Sequence, residues 1–190
     1  VGSEMCIRDS VDAVHGYGVL QNRTIFPTSI SMAATFNPEL VNRAARIAAR
    51  EIRSAGNQWT FAPTLDIVQD ARFGRTGETY GECPFLTTAM ARSAIRGYQN
   101  HENPQHRVAA CVKHYVGGGA SIGGVNHGNA EISERMLRSV FLPPFKAAVE
   151  EGVLTVMPGH NNINGIPMHA SESVSYTHLR AHETRRHLVC

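Results

Sequence analysis

The alternation of helical segments with short apolar runs is the feature that most constrains the fold of this chain. The predicted elements are a helix at 37–55, a strand at 59–68, a helix at 84–100, a strand at 108–116, a helix at 133–151 and a strand at 153–160. Strands that are apolar on both faces and joined by helices are typical of parallel βα units with right-handed crossovers. The pattern therefore predicts the α/β class.

The boundaries of the first and last predicted helices carry recognisable capping residues. Asn37 precedes Pro38, which is an N-cap followed by proline at the first helical position, and Gly56 provides a stop. Ser133 is positioned to cap the last helix, and Gly152 follows its end. These signals fix where the helices begin and end, independently of the apolar pattern.

Composition excludes several classes of partner. The chain has 190 residues, 42% of them hydrophobic and 18% charged, with a formal net charge of +2. We expect no nucleic-acid partner, because the basic residues form no stripe that could follow a phosphate backbone. We expect no membrane partner either, because no apolar run approaches the roughly 20 residues that cross a bilayer. No dinucleotide or phosphate-binding fingerprint is present, so no cofactor is predicted.

The two ends of the chain share an unusual coding relationship. Residues 174–184 can be back-translated to a DNA word whose reverse complement, in another frame, encodes Leu followed by residues 1–9. A sequencing adapter joined to both ends of an insert would produce this relationship. We therefore interpret 1–10 and 174–190 as adapter-derived and 11–173 as the natural segment, and expect both flanks to pack poorly. Within that segment only Cys83 and Cys111 remain, two thiols without a disulfide framework.

Polar residues follow the end of each predicted strand. An open doubly wound sheet and a (β/α)8 barrel both fit the alternation of elements. The strand-end pairs, in chain order, are Asp12 with His15, Asp66 with Arg75, Lys113 with His114, and His160 with Asn161. In a barrel these positions share one rim, the face at which active sites form. The sequence therefore favours a partial (β/α)8 TIM-type barrel, with roughly strands one to four and their helices.

Eight collinear motifs resemble one enzyme family. They are Asp12-Ala-Val-His-Gly16, Ile25-Phe-Pro27, Ala34-Thr-Phe-Asn-Pro38, Phe61-Ala-Pro63, Asp70-Ala-Arg-Phe-Gly-Arg75, Lys113-His-Tyr115, Ile132-Ser-Glu-Arg135 and Leu142-Pro-Pro-Phe145. In order and separation they resemble the amino-terminal barrel domain of family 3 glycoside hydrolases. The resemblance implies a retaining, β-glucosidase-like enzyme that removes terminal β-linked sugars from oligosaccharides or glycosides.

The resemblance also implies which residues hold the sugar. Asp12 would accept hydrogen bonds from outer hydroxyls, while Arg75, Lys113 and His114 would hold other hydroxyls of the same ring. This division suits a neutral polyol, because a carboxylate only accepts hydrogen bonds and arginine and lysine only donate them. His160, at the end of the fourth strand, is predicted to belong to the same set of substrate-binding residues.

The resemblance implies two catalytic carboxylates in addition to the residues that hold the sugar. Retaining glycosidases need a nucleophile and an acid/base about 5 to 5.5 Å apart. The resemblance implies a nucleophilic aspartate in a Ser-Asp-Trp-like segment, which the printed sequence does not contain. We therefore expect a fragment that holds substrate and lacks both catalytic groups. The acidic residues of the loop after the second strand are expected to pair with Arg72 or Arg75; they are Asp66, Asp70, Glu78 and Glu82.

Two alternatives stay open from the sequence. One is a catalytically inactive sugar-binding barrel, and the other is a metal-dependent TIM-barrel hydrolase built from His15, His114 and His160. The exact sugar and linkage, the true termini, the oligomeric state and the compartment are not determined by the residues. The resemblance adds only that many relatives are periplasmic or secreted, while a cytoplasmic location is compatible with the chain.

Overall fold

The computed structural model describes residues 10–172 and 174. Four parallel strands form its main sheet, and they lie side by side in the order in which they occur along the chain. They are β1 at Ser10–Val11, β2 at Trp59–Thr60, β3 at Ala109–Tyr115 and β5 at Thr155–Pro158. Ser10 pairs with Trp59, Trp59 with Ala109, and Cys111 with Thr155. Sequential parallel strands separated by helices confirm the α/β class and the partial barrel.

The second predicted strand is regular over a shorter range than the sequence suggested. Only Trp59–Thr60 is regular, but the following residues continue along β3, because the Lys113 N–H donates to the Pro63 carbonyl at 3.2 Å. Thr64 then forms an isolated parallel bridge with Lys113. The chain after β2 therefore stays attached to the sheet as far as the residues that precede the site.

The helices lie close to their predicted positions. They are α1 at Ser29–Ala33, α2 at Pro38–Ser54, α3 at Pro84–Gln99, α4 at Glu134–Met136 and α5 at Leu142–Glu150. The Asn37 side chain accepts a hydrogen bond from the Glu39 N–H at 3.1 Å, which confirms the N-cap. The helix predicted at 133–151 is interrupted by a π-helical turn, Leu137–Phe141, and α1 was not predicted.

The helices α2 and α3 cover one side of the sheet through small side chains. The inward face of α2 is formed by Val41, Ala45, Ala48, Ala49 and Ile52. A Cβ atom added at Gly97 of α3 would lie 2.6 Å from the Ala45 Cβ and 2.6 Å from the Asn42 carbonyl oxygen. The two helices therefore approach each other more closely than any residue with a side chain at position 97 would permit.

A small second sheet lies beyond the carboxyl end of β5. Its strands are β4 at Asn129–Ala130, β6 at Asn162–Ile163 and β7 at Ile166–Pro167, in the order β4–β6–β7. The hairpin between β6 and β7 turns at Asn164 and Gly165, both with positive φ, which suits an Asn-Gly two-residue turn. The sequence indicated a turn here, but not the sheet that it builds.

Two residues of the predicted flanks are described by the structure. Ser10 lies in β1, and Val174 is buried, with its carbonyl accepting from the Tyr115 hydroxyl at 3.2 Å. For these two residues the expectation of poor packing is wrong. The other flank residues, 1–9 and 175–190, lie outside the described residues, so the boundaries of the natural segment stay a prediction. Within the described ranges, no helix combines the length and apolarity that a bilayer crossing requires.

Candidate functional site

The carboxyl ends of the parallel strands bring the predicted sugar-binding residues to one edge of the sheet. Asp12 directly follows β1, Arg75 lies in the loop after β2, and Lys113 and His114 lie near the end of β3. Parallel strands place these ends on the same rim. Side chains from three segments that are distant in sequence therefore become neighbours because of strand direction.

Lys113 and Asp12 form the inner contact of the site. Lys113 is only 1% exposed, and its Nζ donates to Asp12 Oδ1 at 2.7 Å. The Asp12 side chain is 51% exposed and lines the adjoining cleft. A buried ammonium needs an anionic or polar partner, since its desolvation is costly. The carboxylate neutralises the lysine while its outer side stays accessible from the cleft.

Arg75 connects two other members of the site. Its Nε and Nη2 donate to the two carboxylate oxygens of Glu78 at 2.8 and 2.7 Å. Its Nη1 donates to His114 Nε2 at 3.0 Å. The hydrogen bonds from Arg75 lower the pKa of Glu78, and those bonds raise the pKa of Arg75 in turn. The guanidinium is thus held in one orientation by a bidentate ion pair.

His114 is held from the other side by Asp66. The Nδ1 atom of His114 lies 2.8 Å from Asp66 Oδ2, which also accepts from the His114 backbone N–H at 3.3 Å. The sequence prediction paired Asp66 with Arg72 or Arg75, and that assignment is wrong. Asp66 is 2% exposed and lies beneath His114, because the chain after β2 remains bonded to β3.

The other acidic residues of this loop follow the prediction in part. Asp70 pairs with Arg72 at 2.6 Å, and the hydrogen bonds from Arg72 lower the pKa of Asp70 to about 2. Glu78 pairs with Arg75, as described above. Glu82 is exposed and forms no ion pair with any other described residue.

A cleft of about 750 Å³ adjoins these residues. Its polar wall is formed by Asp12, His15, Arg75, Glu78, Asn126 and His127. Pockets for small molecules commonly enclose about 300 to 1,000 Å³, so the cleft is large enough for a sugar ring. The pKa of His127 is lowered, chiefly by burial and to a smaller extent by the nearby His160. A second groove, of about 630 Å³, lies beside α5 and contains none of the predicted site residues.

His160 lies at the border of the site rather than within it. Its Nδ1 is 3.1 Å from His169 Nε2, and its ring centroid is 5.3 Å from that of His127. It shares a narrow crevice with Arg75 and His114. Its proposed contact with substrate stays a prediction, and the contact with His169 had no sequence signal, because it depends on the hairpin between β6 and β7.

The ring nitrogens of His114 argue against the metal alternative. One nitrogen lies against Asp66 and the other receives the Arg75 guanidinium. A guanidinium has only donors, so it occupies the lone pair that a metal ion would need. His15 is also engaged, with Nδ1 3.0 Å from the Phe26 carbonyl oxygen. In the part of the chain that the structure describes, no group of three or more metal-ligating side chains is assembled.

Comparison with known families gives one match over most of the chain. The model described as "Glycosyl hydrolase family 3 N terminal domain" matches residues 5–183. The matched range extends past both boundaries of the predicted natural segment, 11–173. The origin of the flanks therefore stays a prediction, while the match itself includes every residue of the site described above.

Individual relatives are glycosidases. A "Beta-xylosidase" of Formosa agariphila is 42% identical over 167 residues, 83% of this chain and 23% of that protein. A "Lysosomal beta glucosidase" of Dictyostelium discoideum is 38% identical over 85% of this chain and 20% of that protein. A solved β-glucosidase of intestinal bacteria, involved in saponin metabolism, superposes with a TM-score of 0.90 at 36% identity, over 94% of this chain and 24% of that one. The chain therefore spans less than a quarter of these proteins.

Proposed function

The chain belongs to glycosyl hydrolase family 3, and we propose that it forms the sugar-holding part of a retaining β-glycosidase that removes terminal β-linked sugars. The observation that carries this proposal is the convergence of Asp12, Lys113, Arg75 and His114, of which Asp12 and Arg75 line the cleft and Lys113 and His114 hold them from behind. A carboxylate acceptor and a guanidinium donor on the wall of a volume that suits a sugar ring support the proposal.

The same contacts explain how a polyol would be accommodated. In the structure the polar groups bond to one another, Lys113 to Asp12 and Arg75 to His114. A hydroxyl both donates and accepts, so it can bridge a donor and an acceptor that were previously in direct contact. Sugar binding therefore exchanges hydrogen bonds instead of leaving buried groups unpaired, which limits its desolvation cost.

The relatives narrow the substrate class. The relatives include β-xylosidases and β-glucosidases, and solved β-glucosidase structures of Listeria innocua hold glucose and laminaribiose. We propose a terminal β-linked glucose or xylose for the site of this chain. Glucose and xylose share the ring hydroxyls that a carboxylate and a guanidinium can grip, so the described contacts do not separate them.

The nucleophile and the acid/base are proposed to come from segments other than the one described. Asp66 is buried against His114, and Asp12 and Glu78 are bound to Lys113 and Arg75. A nucleophilic carboxylate must reach the anomeric carbon, so groups committed to holding cations suit binding rather than attack. The inactive sugar-binding barrel differs from this proposal only in what those other segments contain.

A binding titration with matched arginine variants tests the proposal. We would titrate the ¹⁵N-labelled 190-residue chain with D-glucose and D-xylose and follow the arginine Nε–H and histidine ring signals. Arg75→Ala should abolish the sugar-induced changes. Arg72→Ala should preserve them, because the Arg72 side chain is 73% exposed and its guanidinium bonds only to Asp70 among the described residues. Equal responses in the two variants, or no response in the unmodified chain, would overturn the proposed site.

Hydrolysis is the second measurement. The 190-residue chain should not cleave 4-nitrophenyl β-D-glucoside or β-D-xyloside, because binding groups without the nucleophile leave only a small residual effect on rate. Cleavage at rates typical of enzymes would show that a described carboxylate acts as the nucleophile. That result would contradict the role assigned to Asp12 and Glu78 while leaving the sugar site intact.

A further inference from the structure

The buried carboxylate of Asp66 is not explained by packing or by a conventional ion pair. Its Oδ2 accepts two hydrogen bonds from His114, but its Oδ1 is buried without a hydrogen-bond partner among the described residues. A buried acceptor without a partner costs free energy that an apolar side chain of similar volume would avoid. Such a group in a native fold calls for a function.

The geometry assigns the protonation of the His114 ring. Arg75 Nη1 lies 3.0 Å from Nε2 and can only donate, so Nε2 must present its lone pair. The proton of the neutral ring must then reside on Nδ1, where Asp66 Oδ2 accepts it at 2.8 Å. The two neighbours together define a single tautomer, with the donor nitrogen inward and the acceptor nitrogen toward the site.

Resting on the proposed function, we propose that Asp66 is a positioning residue that fixes His114 as a hydrogen-bond acceptor for a sugar hydroxyl. The bond from the His114 backbone N–H to the same oxygen fixes the main chain, and the bond from Nδ1 fixes the ring. Asp66 is 2% exposed and acts through His114, which it contacts from beneath.

The fixed tautomer determines which group can enter between His114 and Arg75. With Nε2 as acceptor and Nη1 as donor, a hydroxyl can donate to the first and accept from the second. With the proton on Nε2, two donors would face each other and the Arg75–His114 contact would be lost. The Asp66 carboxylate therefore selects a hydroxyl at this position and keeps Arg75 oriented before sugar arrives.

Gly118 shows how the neighbouring loop accommodates the carboxylate. A Cβ atom added at Gly118 would lie 3.1 Å from Asp66 Oδ1 and 3.6 Å from Asn161 Oδ1. Both oxygens thus face the same small space beside the loop that contains Gly118. An amide at position 66 could direct its NH₂ toward Asn161 while its oxygen keeps the bonds to His114. Asparagine is therefore the conservative substitution that should preserve the proposed role.

The first test needs no substitution at Asp66. Long-range ¹H–¹⁵N correlation spectra of the unmodified chain report which ring nitrogen of each histidine carries a proton, and the His114 signal is assigned by its loss in His114→Gln. We expect the Nδ1–H tautomer for His114. Observation of the Nε2–H tautomer would overturn the proposal, whether or not the chain binds sugar.

Variants at position 66 then test whether Asp66 fixes the His114 tautomer and thereby supports sugar binding. Asp66→Leu should abolish the Nδ1–H pattern and weaken glucose or xylose binding by about tenfold, the effect of losing roughly one oriented hydrogen bond. Asp66→Asn should restore both. Thr64→Val is the matched control, because Thr64 is buried in the same segment and its hydroxyl has no partner among the described residues.

The outcomes separate this proposal from the proposed function. Unchanged His114 tautomer and unchanged affinity in a folded Asp66→Leu chain would overturn the positioning role. Another outcome is that the unmodified chain shows the Nδ1–H pattern and binds no sugar, while Asp66→Leu lacks that pattern. In that case the positioning of His114 stands and the sugar site fails. Should Asp66→Leu not fold, as judged by circular dichroism, the tautomer in the unmodified chain still decides the proposal.

Discussion

Lys113 Nζ lies 2.7 Å from Asp12 Oδ1, although the two residues are 101 positions apart in the chain. One belongs to β3 and the other follows β1, with β2 between those strands. The contact therefore crosses the inner face of the parallel sheet. It ties the first strand to the third and, on its exposed side, provides a carboxylate for the cleft.

Lys113→Met should weaken sugar binding with little change in the free energy of unfolding. Methionine has a similar volume without the charge, and the Asp12 carboxylate that loses its partner is 51% exposed, so water can solvate it in place of the ammonium. We expect sugar binding to fall by about tenfold or more, as for loss of a charged hydrogen bond. The free energy of unfolding, measured in urea, should change by less than about 1 kcal/mol, because no charge is left buried without a partner. Lys146→Met, at an exposed site on α5, is the control for loss of positive charge.

Glu78→Gln should alter the pH dependence of stability. The pKa of Glu78 is lowered by its bonds from Arg75, so its contribution is fully present above the ordinary value of 4.5 and is lost as pH falls through the lowered value. We expect a deficit of about 1 kcal/mol at pH 7 for the variant, consistent with a partly buried ion pair. The deficit should close below pH 4.5.

Urea unfolding at a series of pH values measures this difference. Glu102→Gln is the matched control, since Glu102 also pairs with an arginine, Arg46, but its side chain is 84% exposed. A screened surface pair of that kind contributes little. A deficit in Glu78→Gln that persists unchanged to acid pH would show that the bidentate contact with Arg75 is not its source.

Gly97→Ala should destabilise the fold through helix packing. The added Cβ would meet the Ala45 Cβ and the Asn42 carbonyl, each at 2.6 Å, and backbone of α2 cannot yield as a flexible side chain would. Overpacking of this kind costs about 1 to 3 kcal/mol. Thermal or urea unfolding measures the change. Gly74→Ala is the control, because no atom would lie within 4 Å of its Cβ, and an equal loss there would contradict the packing explanation.

His160→Ala tests the predicted binding residue that lies at the border of the site. His160 borders the crevice that also contains Arg75 and His114, so its loss should weaken sugar binding by about threefold to tenfold. His169→Ala removes the 3.1 Å partner of His160 without removing a group from that crevice. The same titration measures both. Equal affinities for His160→Ala and the unmodified chain would remove His160 from the site.

The sequence by itself determined the elements and the family resemblance. Helical periodicity, the Asn37 cap and the apolar runs are local properties, which is why α2 and α3 follow the prediction. The family match confirmed the resemblance carried by the motifs. The π-helical turn at Leu137–Phe141 and the small sheet did not follow, because both depend on packing and on pairing partners that local pattern does not specify.

Only the tertiary structure decided how the polar residues are paired. The sequence placed Asp12, Arg75, Lys113 and His114 at strand ends, which parallel strands bring to one rim. It assigned the wrong partner to Asp66, because sequence proximity favoured the arginines of its own loop. The hydrogen bonds between the 61–65 segment and β3 instead place Asp66 beneath His114. The pairing of strands that are dozens of residues apart thus determines that Nδ1 of His114 faces Asp66 and Nε2 faces Arg75.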